Sequence, residues 1–478
     1  MGTKTPMELR REEAGMAVSK EISEFVDEVW PSVKKDIAAL VAVDSVEDLA
    51  AAAPGAPWGP GPRAAMDEAL DQARRHGLET CDIDGRIAYA DLPGTGDGVL
   101  ATIAHVDVVP AGPGWDSNPF ELRERDGYLV GRGVVDDKGP FVLTLWAAEY
   151  FRRAGRPLPR TLRCIVGANE ETGMKDVAAY LEREGEPWFL FTPDAEFCVG
   201  CGEKGHLTAT FLSGPVAGAP LVSVSGGTVA NAVPGTATAV VEAQAASLPV
   251  ADGIEVRDLG GGLAELSATG VGGHASLPDG TVNAIAVLIG YIADNGLYDA
   301  RTQGGYVSFV QGLLASTDGS SVGLASADDK FGPLTMVGGV ARTVDGRFTQ
   351  TVDIRFPTST TSEHLHAVLF RFAEEHGMRM SAPHVMEPSY IEPDSPQVMA
   401  LVDAYEGVTG REGDAFTMGG GTYARHFANA VSFGPEGGDP AMPEWAGSMH
   451  GPNEAVSEAA LREALAVYIQ AIENLMAL

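Results

Sequence analysis

A chain of 478 residues exceeds the size of one ordinary hydrophobic core and indicates two domains. Its 66 acidic residues against 33 basic ones give a net charge of −33, which opposes binding to nucleic acids and to anionic membranes. No apolar run reaches the roughly 18 residues of a membrane span, and the charged N-terminus lacks the apolar core of a signal peptide. Four cysteines do not make a disulfide framework in so long a chain, so a cytoplasmic protein is expected.

Apolar periodicity predicts alternating helices and strands in the first part of the chain. An amphipathic helix is expected over residues 18–43, interrupted near Pro31, and a short helix over about 64–76. The segments that follow are predicted as strand 99–106, helix 141–155, strand 161–168, helix 176–185 and strand 188–193. This order predicts a mainly parallel sheet, in which ligand sites lie at the carboxyl ends of the strands.

The pattern changes near Gly205, where short alternating segments indicate strands with one face toward solvent. These predicted elements are the strands 236–243, 263–270 and 348–356 and the helix 361–377. The helix–strand pattern returns near Pro388 and ends in a helix whose apolar stripe includes Leu461 and Leu475. We therefore predict an α/β catalytic domain, residues 1–204 and 388–478, split by an inserted α+β lid domain, residues 205–387.

Acidic residues and histidines follow the predicted strands or lie in glycine-bounded turns. His105 and Asp107 stand two residues apart at a strand end, so both side chains lie on one face. A ligating imidazole usually donates its second N–H to a carboxylate, and Asp107 is placed to accept it. The other candidates are Asp136 and Asp137 in GRGVVDDKGP, Glu170 and Glu171 in NEETG, Asp194 in FTPDAEF and His450 in SMHGPNEAV. Each of these motifs alone is also typical of a solvated turn.

Taken together, His105, Asp136, Glu171, Asp194 and His450 provide the imidazole and carboxylate ligands that suit two Zn²⁺ or Mn²⁺ ions. One shared carboxylate could bridge ions at the ~3.5–4 Å separation of two-metal hydrolases. One glutamate of the NEETG pair could then bind metal while its neighbour activates water.

The wording and order of these motifs resemble the dinuclear-zinc exopeptidase family of glutamate carboxypeptidases, aminoacylases, desuccinylases and carnosinases. The phrases HVDVVPAG, DDKGP, PDAEF and GEKG are most similar to the PepV-type dipeptidases. The resemblance runs from about residue 15 to the end of the chain. It implies a metal-dependent hydrolase of dipeptides with two divalent ions, zinc first and manganese or cobalt as alternatives.

Carried over by position, the resemblance makes Asp136 the carboxylate that bridges the two ions. The resemblance assigns His105 and Asp194 as the other ligands of one ion, and Glu171 and His450 as the other ligands of the second ion. The resemblance also implies further roles: Glu170 as the general base, Asp107 as the support of His105, His274 as the oxyanion donor, Asn231 and Arg355 as substrate-binding residues, and Gly419, Gly420, Gly421 and Thr422 as a loop near the substrate carboxylate.

Two features depart from the family pattern. Asn169 stands where members often carry Asp, and Cys198 and Cys201 form a CxxC motif. Two alternatives to a dipeptidase remain. One is an N-acyl amino acid deacylase of the same fold, and the other is a catalytically idle metal-binding protein or a CxxC redox protein. The inserted lid is longer than that of the dimeric members, which implies a functional monomer acting on a small-molecule substrate.

Overall fold

The structure is a computed structural model that describes residues 6–216, 218–437 and 442–478, with side chains from residue 20 onward. These residues form two compact units. The first comprises the described residues up to Gly202 together with Tyr390–Phe416 and Gly421–Leu478, and the second comprises Glu203–Ser389 and Thr417–Gly420. The short segment Thr417–Gly420, which the sequence analysis assigned to the catalytic domain, thus groups with the second unit.

Helices within the described residues are α1 (Pro6–Val41), α2 (Pro60–Arg75), α3 (Lys138–Ala154), α4 (Val177–Glu184), α5 (Ala284–Asp294), α6 (Gly304–Leu313), α7 (Ser362–Glu375), α8 (Pro396–Thr409) and α9 (Glu458–Met476). None of them combines the length and apolar character that a bilayer crossing requires.

Strands are β1 (Glu79–Ile83), β2 (Ile87–Leu92), β3 (Val99–His105), β4 (Arg123–Arg125), β5 (Tyr128–Val130), β6 (Thr161–Gly167), β7 (Phe189–Thr192), β8 (Val199–Glu203), β9 (Gly205–Leu212), β10 (Leu221–Gly226), β11 (Ala232–Val233), β12 (Thr236–Glu242), β13 (Ile254–Gly260), β14 (Leu263–Thr269), β15 (Gly273–His274), β16 (Ala327–Asp328), β17 (Gly332–Pro333), β18 (Thr335–Val337), β19 (Ala341–Val344), β20 (Arg347–Phe356), β21 (Arg379–Met380), β22 (His384–Met386), β23 (Ser389–Tyr390), β24 (Ala415–Met418), β25 (Ala430–Ser432) and β26 (Ala455–Ser457).

A sheet in the order β1-β2-β6-β3-β7-β25-β8-β23, with β24 beside β8, forms the centre of the first unit. Its middle strands β6, β3, β7 and β25 run parallel. On one side β2 pairs antiparallel with β6 and β1 antiparallel with β2, and on the other side β8 pairs antiparallel with β25. Helices α1, α3, α8 and α9 pack together, and their buried residues belong to one core. The predicted fold class, α/β with a mainly parallel sheet in the catalytic domain, is confirmed as an α/β fold whose sheet has a parallel centre, which antiparallel strands flank.

Helix α1 contradicts the predicted interruption at Pro31. The helix continues through Pro31, which is exposed and has no N–H to offer the preceding turn. The flanking residues Val29, Val33 and Ile37 are fully or almost fully buried at helical spacing. Their burial stabilises the continuous helix on both sides of the missing hydrogen bond.

A second sheet, in the order β13-β14-β12-β10-β19-β20-β9-β21, forms the second unit, with β18 beside β20 and β22 beside β9. Helices α5 and α6 of this unit were not predicted from the sequence. In α5, Ile285, Leu288, Ile289 and Ile292 are fully buried at the spacing of one helix face. The Asn283 side chain begins this helix by accepting the N–H of Ile285 at 2.9 Å.

Candidate active site

The carboxyl ends of the parallel strands carry several of the predicted site residues. His105 is the last residue of β3, Glu170 and Glu171 follow β6, and Asp194 follows β7. Because β3 lies between β6 and β7 and runs parallel to both, these residues meet at one edge of the sheet. This agrees with the general position of ligand sites in parallel sheets.

Asp136 lies between two groups of candidate ligands. Its Oδ1 is 2.8 Å from His105 Nε2, and its Oδ2 is 2.8 Å from His450 Nε2. Asp194 Oδ2 lies 3.7 Å from His105 Nε2, and Glu171 Oε2 lies 3.2 Å from His450 Nε2. The structure thus brings the five predicted ligands together as two groups that share Asp136, with ligand atoms in each group within 4.8 Å of one another.

The hydrogen bonding of His105 directs a lone pair at these carboxylates. Its Nδ1 lies 3.0 Å from the main-chain carbonyl of Asp107, which can only accept, so Nδ1 carries the proton. Nε2 faces a carboxylate oxygen of Asp136, so this nitrogen is the one that a bound cation would take as its ligand. His105 Nε2 and Glu171 Oε1 belong to the set of buried side-chain atoms, within the described residues, that have no hydrogen-bond partner. A divalent cation would satisfy both atoms, so this donor set fits a metal.

Burial and charge repulsion raise the pKa values of three acidic groups of the site. Burial and the carboxylate of Asp194 raise the pKa of Glu170 well above its ordinary value. Burial and Asp136 likewise raise the pKa of Glu171 and of Asp194. Hydrogen bonds to Asp136 and Glu171 raise the pKa of His450 to about 10. Without a cation the site therefore holds protons, and a bound cation would displace them.

Comparison with known proteins identifies the family. The model of Peptidase family M20/M25/M40 matches residues 101–474. The chain belongs to this family. As an M20 peptidase it is a metal-dependent peptidase, which accounts for a donor set of two histidines and three carboxylates at the edge of the sheet.

Two relatives match this M20 peptidase over almost its whole length. A protein of Staphylococcus aureus (strain bovine RF122 / ET3-1) is 31% identical over 473 residues, which cover 95% of this chain and 98% of the relative. The YtjP protein of Bacillus subtilis (strain 168) is 31% identical over 457 residues, covering 92% and 96%. Both are named as dipeptidases, and both names mark the assignment as provisional.

Solved structures support the fold. Human carnosine dipeptidase 1 aligns with a TM-score of 0.62 at 15% identity, covering 96% of this chain and 99% of its own. The M20 metallo-carboxypeptidase Sso-CP2 of Sulfolobus solfataricus aligns with a TM-score of 0.59 at 15% identity, covering 93% and 99%. At this identity the likeness concerns the fold.

Asp107 makes more contacts in the M20 peptidase than the sequence indicated. Its main-chain carbonyl, rather than its carboxylate, lies nearest to His105 Nδ1, because Oδ1 is 3.5 Å away. Its two carboxylate oxygens accept the main-chain N–H groups of Glu170 and Glu171, each at 3.2 Å. Asp107 therefore couples the backbone of the glutamate loop to His105.

Arg132 and Glu454, which the sequence analysis did not select, form a fully buried ion pair. Arg132 Nη2 donates to the carbonyl of His450 at 3.2 Å, and Glu454 Oε1 accepts the N–H of Val135 at 3.0 Å. The pair thus joins the segment before Asp136 to the loop that carries His450. The sequence shows opposite charges inside two of the site motifs, but the two residues are 322 positions apart, so their pairing could not be predicted.

Glu436 is a second buried residue that the sequence did not indicate. It is hydrogen-bonded to Asp194, and burial together with that carboxylate raises the pKa of Glu436 well above its ordinary value. A proton shared between Glu436 and Asp194 would orient this candidate metal ligand. A single glutamate in a glycine-rich loop of an acidic chain carries no distinguishing signal.

In the second unit, His274 pairs through β11 and β15 with Ala232, directly after Asn231. Its Nδ1 lies 2.6 Å from Ser276 Oγ and accepts the main-chain N–H of Ser276 at 3.2 Å. Nδ1 is therefore unprotonated, and Nε2 carries the hydrogen. Although the side chain is exposed at the surface, partial desolvation and the charge of Arg355 lower the pKa of His274. His274 is thus a neutral ring that presents an Nε2–H donor.

Asp353 fixes the guanidinium of Arg355 on strand β20. Arg355 Nε and Nη2 donate to Asp353 at 2.9 and 3.4 Å, and Nη1 donates to the carbonyl of Gly419 at 3.0 Å. His206 Nε2 lies 2.7 Å from the same carboxylate, so this histidine also contacts the residue that supports Arg355. These bonds use three of the five N–H donors of the guanidinium.

The glycine run is divided between the units. Gly419 lies against Ser276 in the second unit, where a Cβ on the glycine would come within 2.7 Å of the serine Cβ. Gly421 and Thr422 belong to the first unit, and Thr422 Oγ1 accepts the N–H of Ala424 at 3.2 Å. The expected approach of this run, Gly420 included, to a substrate carboxylate stays a prediction.

The CxxC motif lacks the character of a redox site. Cys198 and Cys201 are buried free thiols. Burial raises the pKa of Cys198 to about 12, so its thiolate is scarce at neutral pH. Cys201 Sγ donates to the carbonyl of Phe416 at 3.2 Å. The redox alternative therefore loses support.

Proposed function

We propose that the protein is a dipeptidase that binds two divalent cations, with zinc first and manganese or cobalt as alternatives. The observation that carries this proposal is the position of Asp136, whose two oxygens face His105 and His450 in separate ligand groups. The names of the relatives support dipeptides as the substrate class.

Bound divalent cations supply Lewis acidity, which polarises a carbonyl and lowers the pKa of water. In the proposed reaction, Glu170 accepts a proton from the attacking water and returns it to the leaving amine. Burial and Asp194 raise the pKa of Glu170 while no cation is bound, and the positive charge of bound cations would act in the opposite direction and favour the carboxylate that a base requires. His274 donates its Nε2–H to the developing oxyanion.

Arg355 and the acidic first unit provide opposite charges for the two ends of a dipeptide. Two hydrogen bonds from Arg355 to Asp353 hold the guanidinium, which leaves its remaining donors for a carboxylate. The substrate ammonium would be bound among the carboxylates around Asp136 and Asp194. Asn231 and the glycine run complete the proposed substrate contacts. We therefore expect dipeptides to be cleaved well, tripeptides poorly and proteins not at all.

A substrate panel tests the proposal. Purified protein loaded with zinc, manganese or cobalt is assayed against dipeptides, tripeptides, dipeptide amides and N-acyl amino acids, with metal content measured in parallel. We expect more than one metal equivalent per chain, preference for dipeptides and loss of turnover on chelation. Full activity without metal contradicts the metal assignment. Preference for N-acyl amino acids instead establishes the deacylase alternative, and bound metal without any turnover establishes the idle one.

Two further properties stay predictions. The PepV-type arrangement implies a functional monomer, which light scattering of the active protein can test. Composition favours a cytoplasmic location, which fractionation of the source cells can test.

A further inference from the structure

Asn169 lies at the start of the loop that carries the two candidate glutamates, and it is fully buried. Its Oδ1 accepts the N–H of Lys175 at 3.0 Å, and its main-chain carbonyl accepts the N–H of Met174 at 2.7 Å. Its Nδ2 donates to Glu47 Oε1 at 2.8 Å and also contacts Thr172 Oγ1. Both ends of the amide are therefore engaged, and the side chain closes the loop on itself.

Glu47 reaches this loop from a part of the chain 122 positions away. The same Oε1 accepts the hydroxyl of Thr172 at 2.7 Å, so one carboxylate oxygen binds two donors of the loop. The segment around Glu47 is itself anchored, because Ser45 Oγ donates to the carbonyl of Val106 at 2.6 Å. Glu47 thus connects the glutamate loop to the residue that directly follows His105.

Asp107 holds the same loop from its other side, through the main-chain N–H groups of Glu170 and Glu171. The loop is therefore fixed at its backbone by Asp107 and at its first side chain by Glu47. Precise placement of a catalytic group is worth orders of magnitude in rate, because a displacement of about 1 Å can cost ~10²-fold.

The polarity of the Glu47–Asn169 contact explains why an amide suits position 169 in this chain. An aspartate there would direct a carboxylate oxygen at Glu47 Oε1 over about the same 2.8 Å. Like charges at that distance repel strongly when partly buried. Asparagine keeps the acceptor for Lys175 and supplies the donor that Glu47 requires.

We propose that Glu47 and Asn169 form a polarity-matched positioning pair for Glu170, in which the donor at 169 must face an acceptor at 47. This inference rests on the proposed role of Glu170 as the base. Neither residue contacts substrate in this scheme. Both act through the geometry of the loop.

A double-mutant cycle tests the pair in the metal-loaded protein. Asn169→Asp should lower kcat by about tenfold with metal content retained and KM little changed, since contacting residues couple by amounts in this range. Glu47→Gln alone should cost less, because its amide oxygen still accepts. In Glu47→Gln/Asn169→Asp the new amide donates to the new carboxylate, so kcat should recover to within about threefold of the unmutated protein. Asn295→Asp, on a second-unit helix end, is the matched control and should leave kcat unchanged.

Hydrogen exchange of the 168–176 segment, measured by mass spectrometry, provides a readout that needs no turnover. Exchange should rise in Asn169→Asp and return in the double variant. If the double variant recovers neither kcat nor protection, the pair is refuted, and recovery of protection without kcat refutes its positioning role. Failure of the unmutated protein to cleave any dipeptide contradicts the proposed function instead, while the exchange cycle still decides the pair. If Asn169→Asp alone does not fold, a double variant that folds and is protected from hydrogen exchange still supports the requirement for one donor and one acceptor at positions 169 and 47.

Discussion

The two units hold their candidate site residues in different ways. In the first unit, His105, Asp107 and Asp136 are buried, and buried neighbours such as Arg132 fix the surrounding loops. In the second unit, His274 lies exposed on a two-stranded sheet, where Ser276 orients its ring. The first site concentrates negative charge, whereas His274 is neutral.

This difference follows from what each site is proposed to bind. A permanent cation offsets the repulsion among buried carboxylates, so a rigid acidic site can persist. A substrate must enter and leave, so its donors can lie on exposed strands and be oriented by one or two hydrogen bonds. Mutations in the first unit are therefore expected to change metal content or stability as well as rate. Mutations in the second unit are expected to change rate or substrate preference.

The largest expected effect separates the two neighbouring glutamates of the first unit. Glu170→Gln cannot accept a proton, so kcat should fall by ~10²–10⁴ while metal content persists. Glu171→Gln removes a candidate ligand and should lower metal content as well. Steady-state kinetics with elemental analysis checks both variants. Loss of metal in Glu170→Gln but not in Glu171→Gln would show that the roles are reversed.

The buried ion pair of the first unit gives the next largest effect, on stability. Burial raises the pKa of Glu454 to about 7 even beside Arg132, so Arg132→Met leaves a buried carboxyl that must either stay unpaired or take up a proton, which should cost about 3–5 kcal/mol in the free energy of unfolding. Arg132→Met/Glu454→Met should regain much of that stability in denaturant unfolding. Activity should stay low, because the hydrogen bond to the His450 carbonyl is lost. A stable Arg132→Met variant would contradict the assigned importance of the pair.

Particular residues show how far the sequence could lead. His105, Asp136 and His450 stand in motifs whose resemblance to one family is specific, so their grouping could be expected. Arg132 with Glu454 could not, because a buried charge needs a partner that only the fold brings near.

Other misses have physical causes of their own. The fold was predicted best where hydrophobic periodicity was clear, as in β3, β6 and α9. It was wrong at Pro31, because packing on both sides of the proline outweighs one missing hydrogen bond. Helix α5 was missed because its sequence is apolar on nearly every face, which obscures the period that distinguishes a helix from a strand.

In the second unit, His274→Ala should lower kcat by ~10²–10³, the range for loss of one oxyanion donor. Metal content and thermal stability should remain unchanged, because His274 lies exposed on a two-stranded sheet and outside the ligand groups. Ser276→Ala keeps the main-chain N–H to Nδ1 and should cost much less. Kinetics of both variants checks this, and an unaffected His274→Ala would exclude the proposed donor.

Substrate preference should respond to Arg355 and, more weakly, to its support. Arg355→Ala should reduce kcat/KM for dipeptides by about 10²-fold, and Asp353→Asn by about tenfold, in line with charge-assisted hydrogen bonds. Both losses should shrink with dipeptide amides, which lack the carboxylate. The amide substrate is thus the internal control. Equal losses for dipeptides and their amides would contradict a carboxylate-binding role.

The smallest expected effect is a difference in pH dependence between the units of the metal-free protein. Partners Asp136 and Glu171 raise the pKa of His450 to about 10, so its stabilising contribution is complete below the ordinary histidine value near 6.5 and is lost as pH rises toward 10. For Asp353, burial acts in the opposite direction, but His206 and Arg355 lower its pKa. Its contribution is therefore complete above the ordinary aspartate value near 3.9 and is lost only at lower pH.

Chelated protein should consequently lose thermal stability between pH 6.5 and 9, as the site releases protons. Added metal should reverse the loss, because the cation binds the deprotonated groups. His450→Gln should flatten this dependence, since it removes one of the groups that release protons over the interval. Asp353→Asn should leave the slope unchanged there, because that carboxylate is already ionised at both ends. Thermal unfolding at each pH measures the three slopes. Equal slopes for His450→Gln and the unmutated protein would show that protons at the His450 site do not couple to folding.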